Sequence, residues 1–237
     1  MTWSIIARDE LTGKFGIAVA TRFFAVGALV PYTRAKVGAV ATQALINPFF
    51  GLNGLRLLQN HRAVADVLST LVASDHGRDH RQVHIMDANG CTAAHTGSLC
   101  VGWCGAISQD NLSVAGNMLA NAEVIAATAA VYRAQSALPL AARLIASMKA
   151  GEAAGGDKRG RQSAALVIQG DEDWPDLSLR VDDHTDPLAE LDRLERVSRE
   201  RFVHFAPFLP CRDNPVGTTD RAVIEAGIEK ALAAQAR

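Results

Sequence analysis

A chain of 237 residues that is 49% apolar holds one large domain with a full core, or a domain with a helical appendage. Its 24 basic and 25 acidic side chains nearly cancel, which removes the broad basic footprint of a nucleic-acid binder and leaves a small-molecule substrate or ligand as the expected partner. No apolar run approaches a membrane span, and the start lacks a basic region followed by an apolar one, so the expectation is a cytoplasmic protein without membrane association.

The first nineteen residues read as a strand, a tight turn and a second strand. Side chains alternate along a strand, so Thr2 and Ser4 share one face while Trp3, Ile5 and Ala7 share the other. If Met1 is removed, Thr2 carries a hydroxyl and a free α-amine on one residue, a nucleophile with its own base, since the amine titrates at about 7.7–8.0. The plain alternative is a β-branched residue opening a strand.

Residues 15–20 and 37–41 are near-continuous apolar runs that predict strands buried on both faces. The segment between them, with Arg22, Gly27 and Pro31, reads as a loop. Arg22, directly after a strand, either pairs locally or holds an anionic substrate group. Thr42, Gln43 and Asn47 leave the third strand in an apolar context, where they either satisfy nearby backbone or line a pocket. Helical periodicity follows over residues 50–59 and 63–73.

His76, His80 and His84 recur at intervals of four, but Gly77 interrupts and residues 82–86 alternate like a strand, so no shared helical face and no metal site is expected. Residues 82–87 and 91–96 predict a hairpin through Asn89-Gly90 in a type I′ turn. Strands over 99–108 and 112–116 are expected to continue that same sheet. Cys91, Cys100, Cys104 and Cys211 form no close Cys-x-x-Cys pair and read as free thiols.

Asn117 stands where a strand passes into a helix, either as a cap or as an amide aimed into a site. A second helix begins at Pro139 and ends at glycine. The glycine-rich, cationic segment 151–163 is not a nucleotide-binding loop, because it runs helix to strand and Asp157 interrupts the Gly-Lys-Ser/Thr pattern. It presents Asp157, Lys158, Arg159 and Arg161 near a strand start, as local ion pairs or as a ligand site. Residues 177–181 predict the last strand. Three carboxylates and His184 follow, and Asp186 before Pro187 reads as a helix N-cap rather than a metal ligand. A long charged helix with its stripe from Leu188 to Phe205, then a helix over 221–236, predict a C-terminal helical extension over 186–237, packed on the body or on a second subunit.

The stretches Thr2-Trp-Ser-Ile-Ile-Ala-Arg-Asp, Val19-Ala-Thr-Arg-Phe-Phe-Ala-Val-Gly, Gly38-Ala-Val-Ala-Thr-Gln-Ala, Ala94-His-Thr-Gly, Gly116-Asn-Met-Leu, Gly155-Gly-Asp-Lys-Arg-Gly-Arg-Gln-Ser-Ala-Ala and Arg180-Val-Asp-Asp-His together resemble the bacterial domain of unknown function 1028 family, placed in the N-terminal-nucleophile (Ntn) hydrolase superfamily. The resemblance spans roughly residues 1 to 190. It implies an α+β fold, a four-layer αββα sandwich over 1–185, and cofactor-free hydrolysis of a small amide by the first residue of the mature chain, here Thr2. No long segment precedes Thr2 in this sequence, so Met1 removal alone would expose it. Arg22, Thr42, Gln43, Asn117, Asp157, Arg159, Gln162 and Ser163 are then the positions available to bind substrate and steady an oxyanion. Lys14 and Lys36 are candidates for the lysine often found near such a nucleophile. A homo-oligomer, a dimer, is expected. The alternative is a non-catalytic protein of the same fold that binds a small anionic metabolite.

Overall fold

The computed structural model describes residues 2–235; Met1, on which the release of the Thr2 amine depends, lies outside the described residues. The chain divides into two compact units, the first ending at Leu191 and the second beginning at Asp192. In chain order the first unit carries β1 (Thr2–Arg8), β2 (Phe15–Thr21), β3 (Pro31–Arg34), β4 (Gly38–Ala44), α1 (Pro48–Gln59), α2 (Val64–Ser74), β5 (Arg81–Asp87), β6 (Thr92–Thr96), β7 (Trp103–Gln109) and β8 (Leu112–Leu119). It continues with α3 (Glu123–Ala134), α4 (Leu140–Ala153), β9 (Ser163–Gln169), β10 (Leu177–Val181) and the start of α5 (Pro187–Ser198). Two antiparallel sheets result, one of six strands in the order β10-β9-β2-β1-β8-β7 and one of four in the order β3-β4-β5-β6.

Strict alternation decides which side chains fill the space between the sheets. Ile6, Phe15, Ile17 and Val19 from one sheet meet Ala39, Ala41 and Met86 from the other in a single buried cluster. The intervening residues of β4 and β5, Val40, Val83 and Ile85, face away and pack with Phe50, Leu55, Leu58, Val67 and Leu71 of α1 and α2. On the six-stranded sheet, α4 comes so close to β2 that a Cβ on Gly16 would stand 2.3 Å from the Leu144 side chain. Each fully buried aliphatic side chain of this kind stabilises the fold by about 1.5–3 kcal/mol.

Three elements differ from the sequence reading. The segment between β2 and β4 is not all loop, because Pro31–Arg34 forms β3 on β4. As an edge strand of four residues led by proline it carries almost no periodic signal. β7 and β8 do not extend the hairpin sheet; β8 pairs with β1, which makes β1 a central strand. The hairpin between β5 and β6 is also not type I′. Gly90 takes positive φ (88°) but Asn89 does not, and the Asp87 carboxylate accepts from the amides of Asn89 at 2.9 Å and Cys91 at 3.0 Å. An aspartate at the start of the turn therefore overrides the Asn-Gly signal.

The second unit carries the end of α5, α6 (Phe202–Phe205) and α7 (Arg221–Gln235). The long helix expected from Leu188 to Phe205 stops at Ser198, where the amides of Arg199 and Glu200 turn back to the carbonyls of Arg196 and Val197. Asp186 caps α5 through the Ala189 amide at 3.1 Å, as its place before Pro187 predicts. No described helix is long and apolar enough to cross a membrane.

Candidate functional site

Three backbone pairings draw the site together. Thr2 lies opposite Asn117 on one side and Thr21 on the other, and Thr21 lies opposite Ser163, so one row crosses four strands at the same end of the sheet. Because these residues share the parity of Ile6, Ile17 and Val19, all four belong to the face that meets the other sheet. All are buried, with Thr2 5% exposed and Asn117 and Thr21 each 1%. The Thr2 hydroxyl donates to Thr21 Oγ1 at 3.1 Å, and Asn117 Nδ2 donates to the Thr2 carbonyl at 3.3 Å.

Behind this row runs a polar chain between the sheets. Gln82 Oε1 accepts from Asn117 Nδ2 at 3.0 Å and from Gln43 Nε2 at 2.8 Å. Gln82 Nε2 donates to the Gly116 carbonyl at 2.8 Å and to Thr96 Oγ1 at 2.9 Å. Gln43 Nε2 donates also to the Ala115 carbonyl at 3.1 Å, and Gln43 Oε1 accepts from Ser4 at 2.7 Å. Ser4 has then spent its one proton, so its 2.8 Å contact with His84 Nε2 requires the histidine to donate there. His84 Nδ1 is left to accept from Ser113 at 2.9 Å. Complete burial holds this imidazole neutral by pushing its pKa down from 6.5 to about 3.

A loop closes the end of the row. Asp157 bridges to Leu119 at the end of β8, and its fully buried carboxylate accepts from the Arg22 amide beyond β2 at 2.8 Å and from the Arg159 amide at 2.8 Å. The Arg159 guanidinium pairs with it at 3.2 Å, and Arg22 reaches back to the Arg159 carbonyl at 2.8 Å. Gly160 permits the bend with φ at 101°, where a side chain is strained. Ser163 accepts from the Val26 amide at 3.2 Å and donates to the Phe23 carbonyl at 2.5 Å, which binds the stretch after β2 to β9.

On the α4-facing side of the sheet, where Trp3 and Ala20 point, a crevice too narrow for water also touches Thr21. It shares Glu152, Arg161 and Leu188 with a wider cleft of about 380 Å³ that also takes in Lys149 and Asp186. Arg161 holds Glu152 at 3.2 Å and Asp186 at 2.8 Å. Burial raises the Glu152 pKa against the lowering effect of Arg161, with Asp186 and Asp157 adding to the rise.

The residues picked out in the sequence thus separate into groups. Thr2, Asn117, Ser163, Asp157, Arg159 and the backbone of Arg22 converge at the row. Gln43 is brought to it through Gln82, and the amide protons of both Gln43 and Asn117 are committed to the protein. Gln162 contributes its amide to the Thr21 carbonyl at 3.0 Å, while its side chain turns to Asp183. Thr42 does not join them; it has the parity of Val40 on the helix-facing side of β4 and donates to the Asn47 carbonyl. Lys14 and Lys36 sit beyond the opposite end of β2 and beside β4, paired with Asp176 at 2.7 Å and Asp171 at 4.0 Å. Thr21, Gln82, His84 and Glu152 were missed as site or network residues. The first three carry a readable signal, a polar side chain at alternate positions of a strand whose other residues are apolar. Among the described residues no group of three or more His, Cys, Asp or Glu side chains is placed to hold a metal.

A family described as of unknown function, DUF1028, has a sequence model that matches residues 2–191. Among solved structures the chain is similar to protein SPO2555 from Silicibacter pomeroyi, whose description carries the same family, with 30% identity, 92% of this chain and 99% of that chain covered, and a TM-score of 0.85. No curated protein matches.

Proposed function

The chain belongs to the DUF1028 family, and from that premise and the geometry of the Thr2 row we propose that it is an N-terminal-nucleophile amidohydrolase of a small amide. The observation that carries this reading is the position of Thr2, a hydroxyl held at the end of a central strand with Thr21 and Asn117 on either side. The two sheets, with α1 and α2 on one and α4 on the other, support the four-layer αββα reading.

In this mechanism the α-amine of Thr2, freed by loss of Met1, takes the hydroxyl proton as Oγ1 attacks the substrate carbonyl. The tetrahedral intermediate collapses with cleavage of the C–N bond, and the amine returns the proton to the leaving nitrogen. Water then hydrolyses the Thr2 ester by the same route. Thr21 orients Oγ1, Asn117 and Gln82 hold the β1 backbone still, and Asp157 fixes the loop that offers Arg22 and Arg159 to an anionic part of the substrate.

The test is the mass of the protein from its natural host together with turnover of an amide panel. Loss of Met1, with turnover abolished in a folded Thr2→Ala variant, is the expected result; Met1 retained in active protein would sink the mechanism. The second reading, a non-catalytic binder of a small anion, draws on the fact that the Thr2 hydroxyl already has a partner in Thr21. It predicts ligand stabilisation that survives Thr2→Ala and is lost in Arg22→Ala.

A further inference from the structure

At the other end of the six-stranded sheet, where β1 turns to β2 and β7 turns to β8, a second cleft of about 370 Å³ opens against the end of α3 and the start of α4. Two residues of its lining carry a buried polar atom with no protein hydrogen-bond partner, Tyr132 its hydroxyl and Arg8 its Nε. Tyr132 is only 4% exposed. Its ring is held in place, since the Arg143 guanidinium stacks 3.7 Å over its centroid and Arg143 Nε donates to its carbonyl at 2.5 Å. A buried hydroxyl without a partner costs about 1–3 kcal/mol, and a fixed ring cannot swing out to recover it.

Arg8 Nε can only donate and the Tyr132 hydroxyl can donate, so one acceptor complements both. The charges in the lining are balanced, with Arg8, Arg133 and Arg143 against Asp9, Glu10 and Asp110, and a simple anion would meet as much repulsion as attraction. Burial is the main cause of a raised Tyr132 pKa, and the fields of Asp9 and Glu10 add to it while Arg143 opposes, which places those carboxylates within electrostatic reach of the hydroxyl. Volume, paired charges and two unpartnered donors on lining residues are those of a pocket for a compact ligand with both signs of charge.

We infer that this cleft binds a free α-amino acid, its carboxylate accepting from Tyr132 and Arg8 Nε and its ammonium facing Asp9 and Glu10. The site is separate from the Thr2 row and its occupancy does not depend on chemistry there.

Calorimetric titration of the full chain with each free protein amino acid tests this, followed by the N-acetyl and carboxamide forms of whichever binds. At least one free amino acid binds saturably, and both blocked forms bind at least about tenfold more weakly. Tyr132→Phe keeps the ring and the Arg143 stack, retains the native circular dichroism, and weakens binding to a similar degree. Thr2→Ala binds as the parent does. The assignment is overturned by any of three results: no amino acid binds, a blocked form binds as well as the free one, or binding is unchanged in Tyr132→Phe. Loss of binding in Thr2→Ala would overturn it too, by moving the ligand to the other end of the sheet.

Discussion

Two hydroxyls stand two residues apart on the same face of β1, and their surroundings are opposite in kind. Ser4 lies 2.8 Å from a histidine nitrogen, the distance of an activated nucleophile and its base, yet the pair is inert in design. The Ser4 proton goes to Gln43, the histidine proton points at Ser4, and both residues are wholly buried. Among the described residues no histidine stands beside Thr2, and its hydroxyl, at the strand end, donates to another hydroxyl, that of Thr21. A site is marked less by residue types at short distance than by where each proton is already spent.

The widest separation between the two is in turnover. Thr2→Ala should lower amide hydrolysis on the order of a thousandfold or more, whereas Ser4→Ala should keep the rate and lose stability; the opposite pattern in a steady-state assay would exchange their roles. Gln82→Leu should cost roughly 3–5 kcal/mol in urea unfolding, because Asn117, Gln43 and the Gly116 carbonyl each lose a buried partner. A loss under 1 kcal/mol, about one surface contact, would mean that the polar layer is dispensable.

Acid separates them next. Unfolded, a histidine takes a proton near pH 6.5, while folded His84 does so only at about 3. Over that window the unfolded state binds the extra proton, so stability is complete above about pH 6.5 and falls as pH drops, by about 1.4 kcal/mol per unit. His84→Gln should flatten that slope, and an unchanged slope would exonerate the imidazole. The smallest effect is at the loop: Asp157→Asn should cost about 1–3 kcal/mol by weakening its hold on the Arg22 and Arg159 amides, with KM rising more than kcat falls. A change in kcat alone would place Asp157 nearer the chemistry.

The six-stranded sheet was legible where its residues are apolar in runs. Residues 15–20, 163–168 and 177–181 read as strands because a strand covered on both faces has little choice of composition. Which strands pair was not legible. Nothing in residues 112–116 says that they lie beside residue 2 rather than residue 96, since pairing is decided by the whole packed sheet. The site divides the same way. Thr2 and Ser4 were placed on one face by counting, and the Asp157 loop was conspicuous from its glycines and cations. Gln82 and His84 sit in an alternating strand that reads equally as half-exposed, and only the second sheet, folded over them, makes them core.

The row that surrounds Thr2 joins strands far apart in the chain, Thr2 to Asn117 and Thr21 to Ser163. Such distant partners make for slow assembly, and during synthesis β1 and β2 leave the ribosome long before β8 and β9 exist. Until residue 163 has been made, the hydroxyl has neither its full row nor the loop that closes it. The order of translation therefore fixes the order of assembly: the turn of residues 9–14 first, the hydroxyl's full surroundings last.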